Sequence, residues 1–263
     1  MTLLRAELRK TFSTKLWWAL LIPAAVLAIL INLFAGAFAN GLPGGATILL
    51  GSLAYALGLT TVFATVHGIV AMSAEFRHRT ITTTYLTSGA RSGVLLAKTA
   101  ACALVGALYG VVTVLVGTAA GVLGRTGGAF PPVGPLLALL GIGVLVTVLW
   151  SAVGTALGTV ITNQAVVLVV VLLYLLLGEL LLTALLNASG NVTLGLLASY
   201  LPGNASDIAL DDLPTRIIAG DAGAAALGAG SRPPWWGALL VLAAWTGAAT
   251  ATAWVVGGRR DIT

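Results

Sequence analysis

Residues 165–186, AVVLVVVLLYLLLGELLLTALL, decide the fold: across this run only Tyr174, Glu179 and Thr183 carry a polar group. As a helix rising about 1.5 Å per residue, a run of this length covers the roughly 30 Å hydrocarbon core of a bilayer. It is apolar on every face, so it does not divide into a core side and a water side. Strands of a transmembrane barrel would alternate in polarity over about ten residues, and this run does not. The stretch predicts a membrane-spanning helix.

Working outward, five further runs of the same kind appear at 17–39, 47–74, 92–124, 136–160 and 235–256, each bounded by charges, Pro/Gly clusters or polar turns. The predicted fold class is therefore an all-α integral membrane protein with six transmembrane helices, one transmembrane domain over residues 1–263. Bulk composition agrees, with 59% hydrophobic and 8% charged residues and a mean hydropathy of +1.04. A globular chain carries about a quarter charged residues. The single cysteine, Cys102, lies inside an apolar run, which excludes an intrachain disulfide and a cysteine-based metal cluster.

A net charge of +5 and a pI near 9.8 would fit a nucleic-acid binder if the charges were grouped on one face. They are sorted by topology instead. With six alternating helices, Arg5, Arg9, Lys10, Lys15, Arg77, Arg79, Arg91, Lys98, Arg259 and Arg260 fall on one side and only Arg125, Arg216 and Arg232 on the other. Basic loops stay cytoplasmic, so both termini are expected there, with no nucleic acid as partner.

Residues 1–16 place Leu4, Leu8 and Phe12 at intervals of four beside Arg9 and Lys10, the pattern of an amphipathic interfacial helix on the cytoplasmic surface. The tetrapeptide AFAN at 37–40 has the small residues of a signal cleavage site. The apolar run before it exceeds the usual 7 to 15 residues of a signal peptide, which favours a retained anchor. Residues 187–234 form the longest non-spanning stretch, predicted to be extracellular, with short interfacial or re-entrant helices broken at Pro202 and Pro214 and a flexible tether over 221–234. The chain contains no internal repeat.

Chemistry-bearing motifs are few. None of Lys10, Lys15 and Lys98 sits in G-x-x-x-x-G-K-S/T, so there is no P-loop. No G-x-S-x-G occurs, and His67 and His78 do not form H-E-x-x-H. Catalysis by this chain alone is not expected: no catalytic, cofactor-binding or metal residue is assigned. Asp207, Asp211 and Asp212 have a spacing that could hold Mg²⁺ for a diphosphate, against the simpler reading of a solvated acidic face.

Glu179 is the one charge far from either end of a predicted span. An intramembrane carboxylate costs about 2.5–3.5 kcal/mol on insertion scales, so it is expected either to be satisfied by Tyr174, a neighbouring helix or the re-entrant segment, or to line or gate a translocation path. His67 and Asn32 read as polar groups bonded between helices, and Gly106/Gly110, Gly117/Gly121 and Gly154/Gly158 as close packing within a protomer or between two.

Between the second and third spans lies a charged segment, EFRHRTITTTYLTSGARSGVLLAK at 75–98, with a coupling loop expected over 75–91. It resembles the cytoplasmic segment of permease subunits of the ABC-2 family of ABC transporters, which reads Glu, an aromatic, Arg, two variable positions, Thr and an aliphatic, then a turn, Arg, and Lys at the next helix start. The matching positions are Glu75, Phe76, Arg77, Thr80, Ile81, Arg91 and Lys98. Where that family commonly has Pro before the Arg, this chain has Gly89.

The resemblance implies a bacterial cytoplasmic-membrane permease paired with a second protomer, identical or not, and with separate ABC ATPase subunits that bind the ATP and Mg²⁺; this chain itself would hold no cofactor. It also implies that Glu75, Arg77, Thr80, Arg91 and Lys98 form the ATPase-coupling surface, and Glu179 matches an acidic residue of that family's fifth helix. The expected function is export of an amphipathic or lipid-like substrate such as an antibiotic, peptide or lipid. The alternatives are a membrane-embedded Mg²⁺-dependent enzyme acting on a prenyl or lipid diphosphate, and a non-transporting immunity or scaffold protein.

Overall fold

Each apolar run becomes one long helix in the computed structural model, which describes residues 2–40, 42, 45–78, 91–127, 131–226 and 232–259. In chain order the helices are α1 (Thr2–Ser13), α2 (Leu16–Phe38), α3 (Gly45–Arg77), α4 (Arg91–Leu123), α5 (Val133–Val160), α6 (Gln164–Ala188), α7 (Val192–Leu197), α8 (Pro202–Ala226) and α9 (Trp235–Arg259). No strand occurs among the described residues. Six of these helices, α2 to α6 and α9, are long and apolar enough to cross a membrane. The protein is thus an all-helical, multi-pass membrane protein.

Where the sequence offers a stop signal, the helix uses it. The Asn163 side chain accepts hydrogen bonds from the Ala165 and Val166 N–H groups and so caps α6. Helix α5 begins directly after Pro131 and Pro132, with Pro135 in its first turn, where a missing N–H leaves no bond unmade. Helix α3 runs three residues past the predicted 47–74, so Glu75 and Arg77 stand in its last turn rather than in a loop. A cation at that position is favoured by the helix dipole. The rest of the predicted loop, 79–90, lies outside the described residues.

Small residues set the helix spacing. Between α3 and α5, Gly68 stands against the Ser151 carbonyl and Gly154 against Thr65, so the two backbones touch. Between α4 and α5, a Cβ on Gly106 would lie 2.6 Å from the Thr147 carbonyl oxygen. Gly117 and Gly121 receive Asn32 of α2 together with Leu53 and Leu49 of α3. All three glycine pairs therefore serve contacts within one chain.

The stretch after α6 differs from its prediction. Pro202 opens α8 instead of breaking a helix, as suits a residue that needs no N–H partner there. Helix α8 also continues through position 214, and its break comes at Gly220, whose φ of 70° and ψ of 170° favour glycine. Packing explains this, because Ala209 and Leu210 before position 214 and Ala224 after it are buried. Residues 221–226 of the predicted tether end the helix, and 227–231 lie outside the described residues.

Helix α8 belongs to the interior of the bundle. Its Leu210 joins Leu57 of α3, Leu139 and Val146 of α5 and Leu242 of α9 in one core, each at most 1% exposed. The outward faces of α2 and α6, with Ile22, Val26, Phe34, Val169, Leu173 and Leu181, stay uncovered, as apolar surface turned toward lipid does.

Candidate functional site

Among the described residues, a polar assembly stands at each end of this apolar bundle. At the end carrying α1, the Lys98 ammonium donates to Glu75 Oε1 at 2.6 Å and pairs with Glu7 Oε2 at 3.1 Å, and Lys10 also pairs with Glu75. Glu7, Glu75 and Lys98 are each at most 5% exposed, whereas Lys10 remains half open. Two carboxylates and two amines balance, which is the condition under which charges tolerate burial. The cluster joins three helices: α1 through Glu7 and Lys10, α3 through Glu75, and α4 through Lys98.

Two features around the cluster are incomplete. Glu75 Oε2 and both ring nitrogens of His67 are buried without a hydrogen-bond partner among the described residues. His67 packs edge-on against Tyr109, ring centroids 6.0 Å apart. The Tyr109 hydroxyl in turn donates to the Trp17 carbonyl at 2.6 Å, fastening the start of α2 to α4.

The predicted coupling residues divide. Glu75 and Lys98 meet in the cluster, while Arg77 turns outward and its guanidinium bonds Gln164 Oε1 at 3.3 Å, bridging the end of α3 to the start of α6. A cavity of about 570 Å³ opens there, lined by Phe76, Arg77, Asn163, Gln164 and Leu168. Arg91 opens α4, but its side chain, like Thr80, lies outside the described residues.

At the opposite end, Glu179 is 5% exposed and nine residues short of the end of α6, about 14 Å along a helix axis. Its carboxylate accepts from the Gly203 N–H at 3.0 Å and the Asn204 N–H at 2.6 Å, the second and third residues of α8. One helix thus supplies the N-cap of another, with a negative group at the positive end of the α8 dipole. Gly203 permits the approach, since a Cβ there would lie 2.6 Å from Glu179 Oε2. The Asn204 side chain closes the arrangement by donating to Thr183 Oγ1 and the Ala198 carbonyl.

The helix before Glu179 is not regular. Residues Tyr174–Gly178 form a π turn in which the Glu179 N–H bonds the Tyr174 carbonyl, and this brings Tyr174 beside the Glu179 carboxylate. Two more bonds hold the start of α8 inside the bundle. Trp150 Nε1 donates to Ser206 Oγ at 2.7 Å, and Trp245 Nε1 to the Tyr200 carbonyl at 2.9 Å.

Beside α8 lies a cavity of about 780 Å³, lined by Thr183, Asn187, Asn204, Asp207, Asp211 and Arg232 among others. Asp207 and Asp211 open into it one helical turn apart, both with exposed side chains at the cavity wall. Withdrawal from water, with Asp211 and then Glu179 repelling Asp207, pushes the Asp207 carboxyl up to about 6, and burial pushes Asp211 up to about 6. Asp212 also lines the cavity, but its carboxylate accepts from Arg216 Nε and the Trp235 N–H, both at 2.9 Å. All three aspartates therefore border the cavity, Asp212 with its carboxylate already engaged.

Sequence reasoning passed over Glu7, the tryptophan bonds and Asn204. Glu7 carried a signal, as the lone acid of the basic stretch 1–16, three residues before Lys10 and on the side of Leu4 and Leu8. Trp150 and Ser206, 56 positions apart and both ordinary in a span, carried none. No family model matches the chain, and no curated protein does either.

Proposed function

We propose that this chain is the membrane-spanning permease subunit of an ATP-driven exporter of the ABC-2 type, in the bacterial cytoplasmic membrane with both termini cytoplasmic. The observation that carries the reading is the ion cluster. The segment that resembles a coupling loop begins at Glu75 and ends at Lys98, and these residues meet each other and α1 in a buried, charge-balanced knot. A loop rooted in that way passes a push from a soluble partner to two spanning helices at once. A loop that served only to fix topology would not need buried charges at its base.

On this reading a separate ATPase subunit seats the 79–90 segment and supplies ATP hydrolysis and Mg²⁺, and the permease chain, paired with a second protomer, moves an amphipathic or lipid-like substrate outward. Helix α8 enters from the extracellular side as a re-entrant element. The alternative of a Mg²⁺-dependent enzyme draws on Asp207 and Asp211 facing the outer cavity.

The test is co-purification of the chain in mild detergent from its own cells, followed by ATP hydrolysis with and without the double change Glu75→Ala, Lys98→Ala. An ATPase that accompanies the chain and is released or uncoupled by the double change supports the exporter. A folded chain that brings no ATPase removes this reading. Loss of activity on a lipid diphosphate in Asp207→Asn, Asp211→Asn would then establish the enzyme.

A further inference from the structure

Helix α8 starts deep between the spanning helices, where Ala205 is fully buried and polar, reversible bonds hold the residues on either side of it. Tyr200 is held by Trp245, Gly203 and Asn204 by Glu179, and Ser206 by Trp150. Of these, only the Glu179 contact joins the α8 N-terminus to an irregular helix. The π turn at Tyr174–Gly178 contains one residue more than an α-helical turn would, and that extra residue sets the direction in which position 179 points.

If the turn relaxes to α-helix, the residues beyond it rotate by about one residue's share of a turn, roughly 100°. The carboxylate then no longer faces α8. Gly178, four residues after Tyr174, takes over that direction in an α-helical turn and, having no side chain, offers the α8 N–H groups no acceptor. The relaxed form therefore leaves both the carboxylate and the start of α8 without their partners, and an outside source of free energy has to hold it open.

We propose that the π turn at Tyr174–Gly178 is the switch of a gate formed by α8: as a π turn it aims Glu179 at the α8 N-terminus and locks α8 in the bundle, and as an α-helical turn it withdraws the cap and releases α8. The use of this gate for export rests on the permease reading. The switch itself does not.

The experiment uses the full chain in liposomes with Cys102→Ser, and with Ala209→Cys as reporter, since Ala209 is fully buried between α8 and the core. The rate of modification by a water-soluble maleimide is measured. The reference is expected to react slowly. Glu179→Ala is expected to raise the rate tenfold or more, whereas deletion of Leu176, which makes the turn α-helical with the carboxylate still aimed at α8, is expected to keep it slow.

Glu179→Gln is expected to fall between. Gly203→Ala displaces the carboxylate directly and should raise the rate as Glu179→Ala does, and deletion of Leu177 replaces a Leu176 deletion that does not fold. Unchanged labelling in the folded Glu179→Ala protein overturns the lock. Labelling that rises in a folded Leu176 deletion as it does in Glu179→Ala overturns the π turn as the switch. Neither result depends on an ATPase, so failure of the gate and failure of the exporter reading are separable.

Discussion

The Glu75 carboxylate, two residues before the end of α3, accepts a 2.6 Å hydrogen bond from the Lys98 ammonium of α4, and neither residue is more than 4% exposed. Such a pair contributes little net stability over an apolar pair of the same shape, but removing one partner strands a buried charge. Lys98→Ala leaves the buried Glu7 carboxylate without its partner while Lys10 still pairs with Glu75, and is expected to cost about 3–5 kcal/mol. Unfolding in detergent measures it, and the double change Glu75→Ala, Lys98→Ala should cost clearly less than the sum of the single changes.

The glycines make a paired prediction. Gly154 and Gly141 lie on the same helix, yet a Cβ at Gly154 would strike the Thr65 backbone whereas one at Gly141 meets nothing within 4 Å. Gly141→Ala is expected to be neutral or to stabilise by about 0.5–1 kcal/mol through helix propensity. Gly154→Ala should destabilise by about 1–3 kcal/mol through overpacking. Thermal midpoints of the two purified variants decide this, and equal midpoints would contradict the packing described.

The Asp207 and Asp211 carboxyls are raised from an ordinary 3.8 to about 6. The folded chain therefore holds protons that the unfolded chain has already released, and stability falls as pH rises through that window and levels off above it. The thermal midpoint is expected to decline between about pH 4 and pH 6. Asp207→Asn with Asp211→Asn should flatten that decline.

Trp150→Phe removes the donor to Ser206 and leaves a buried hydroxyl that still bonds the Pro202 carbonyl. The expected cost is about 1–2 kcal/mol, within the range for one buried hydrogen bond. Ser206→Ala should cost about the same, because it strands the indole N–H. Combining the two changes should cost less than their sum, as a double-mutant cycle on unfolding would show.

The spanning helices were legible because hydropathy over 20 residues is a local signal that no distant contact overrides. Charges at helix ends were less so. Glu75 and Arg77 look like loop residues in the sequence, and only the bond to Lys98 and the bond to Gln164 reveal why α3 continues through them. Pro214 reads as a breaker, but α8 is held by burial on both sides of it and yields only at Gly220. The partner of Glu179 was foreseeable as a class, a re-entrant segment among the candidates, while the identity of its donors was not. Two backbone N–H groups, present at every non-proline position, leave no mark in a sequence.

The two longest helices carry a mechanical consequence. Helices α3 and α4 each contain 33 residues. At about 1.5 Å per residue such a rod measures about 50 Å, against a hydrocarbon thickness of roughly 30 Å, so some of each rod stands clear of the bilayer. Riveted near one end by Glu75 and Lys98 and resting on the α5 backbone at Gly68, the pair works as a lever. Tilting a rod of that length by about 5° sweeps its far end through about 4 Å, a displacement comparable to the gap one side chain fills between packed helices.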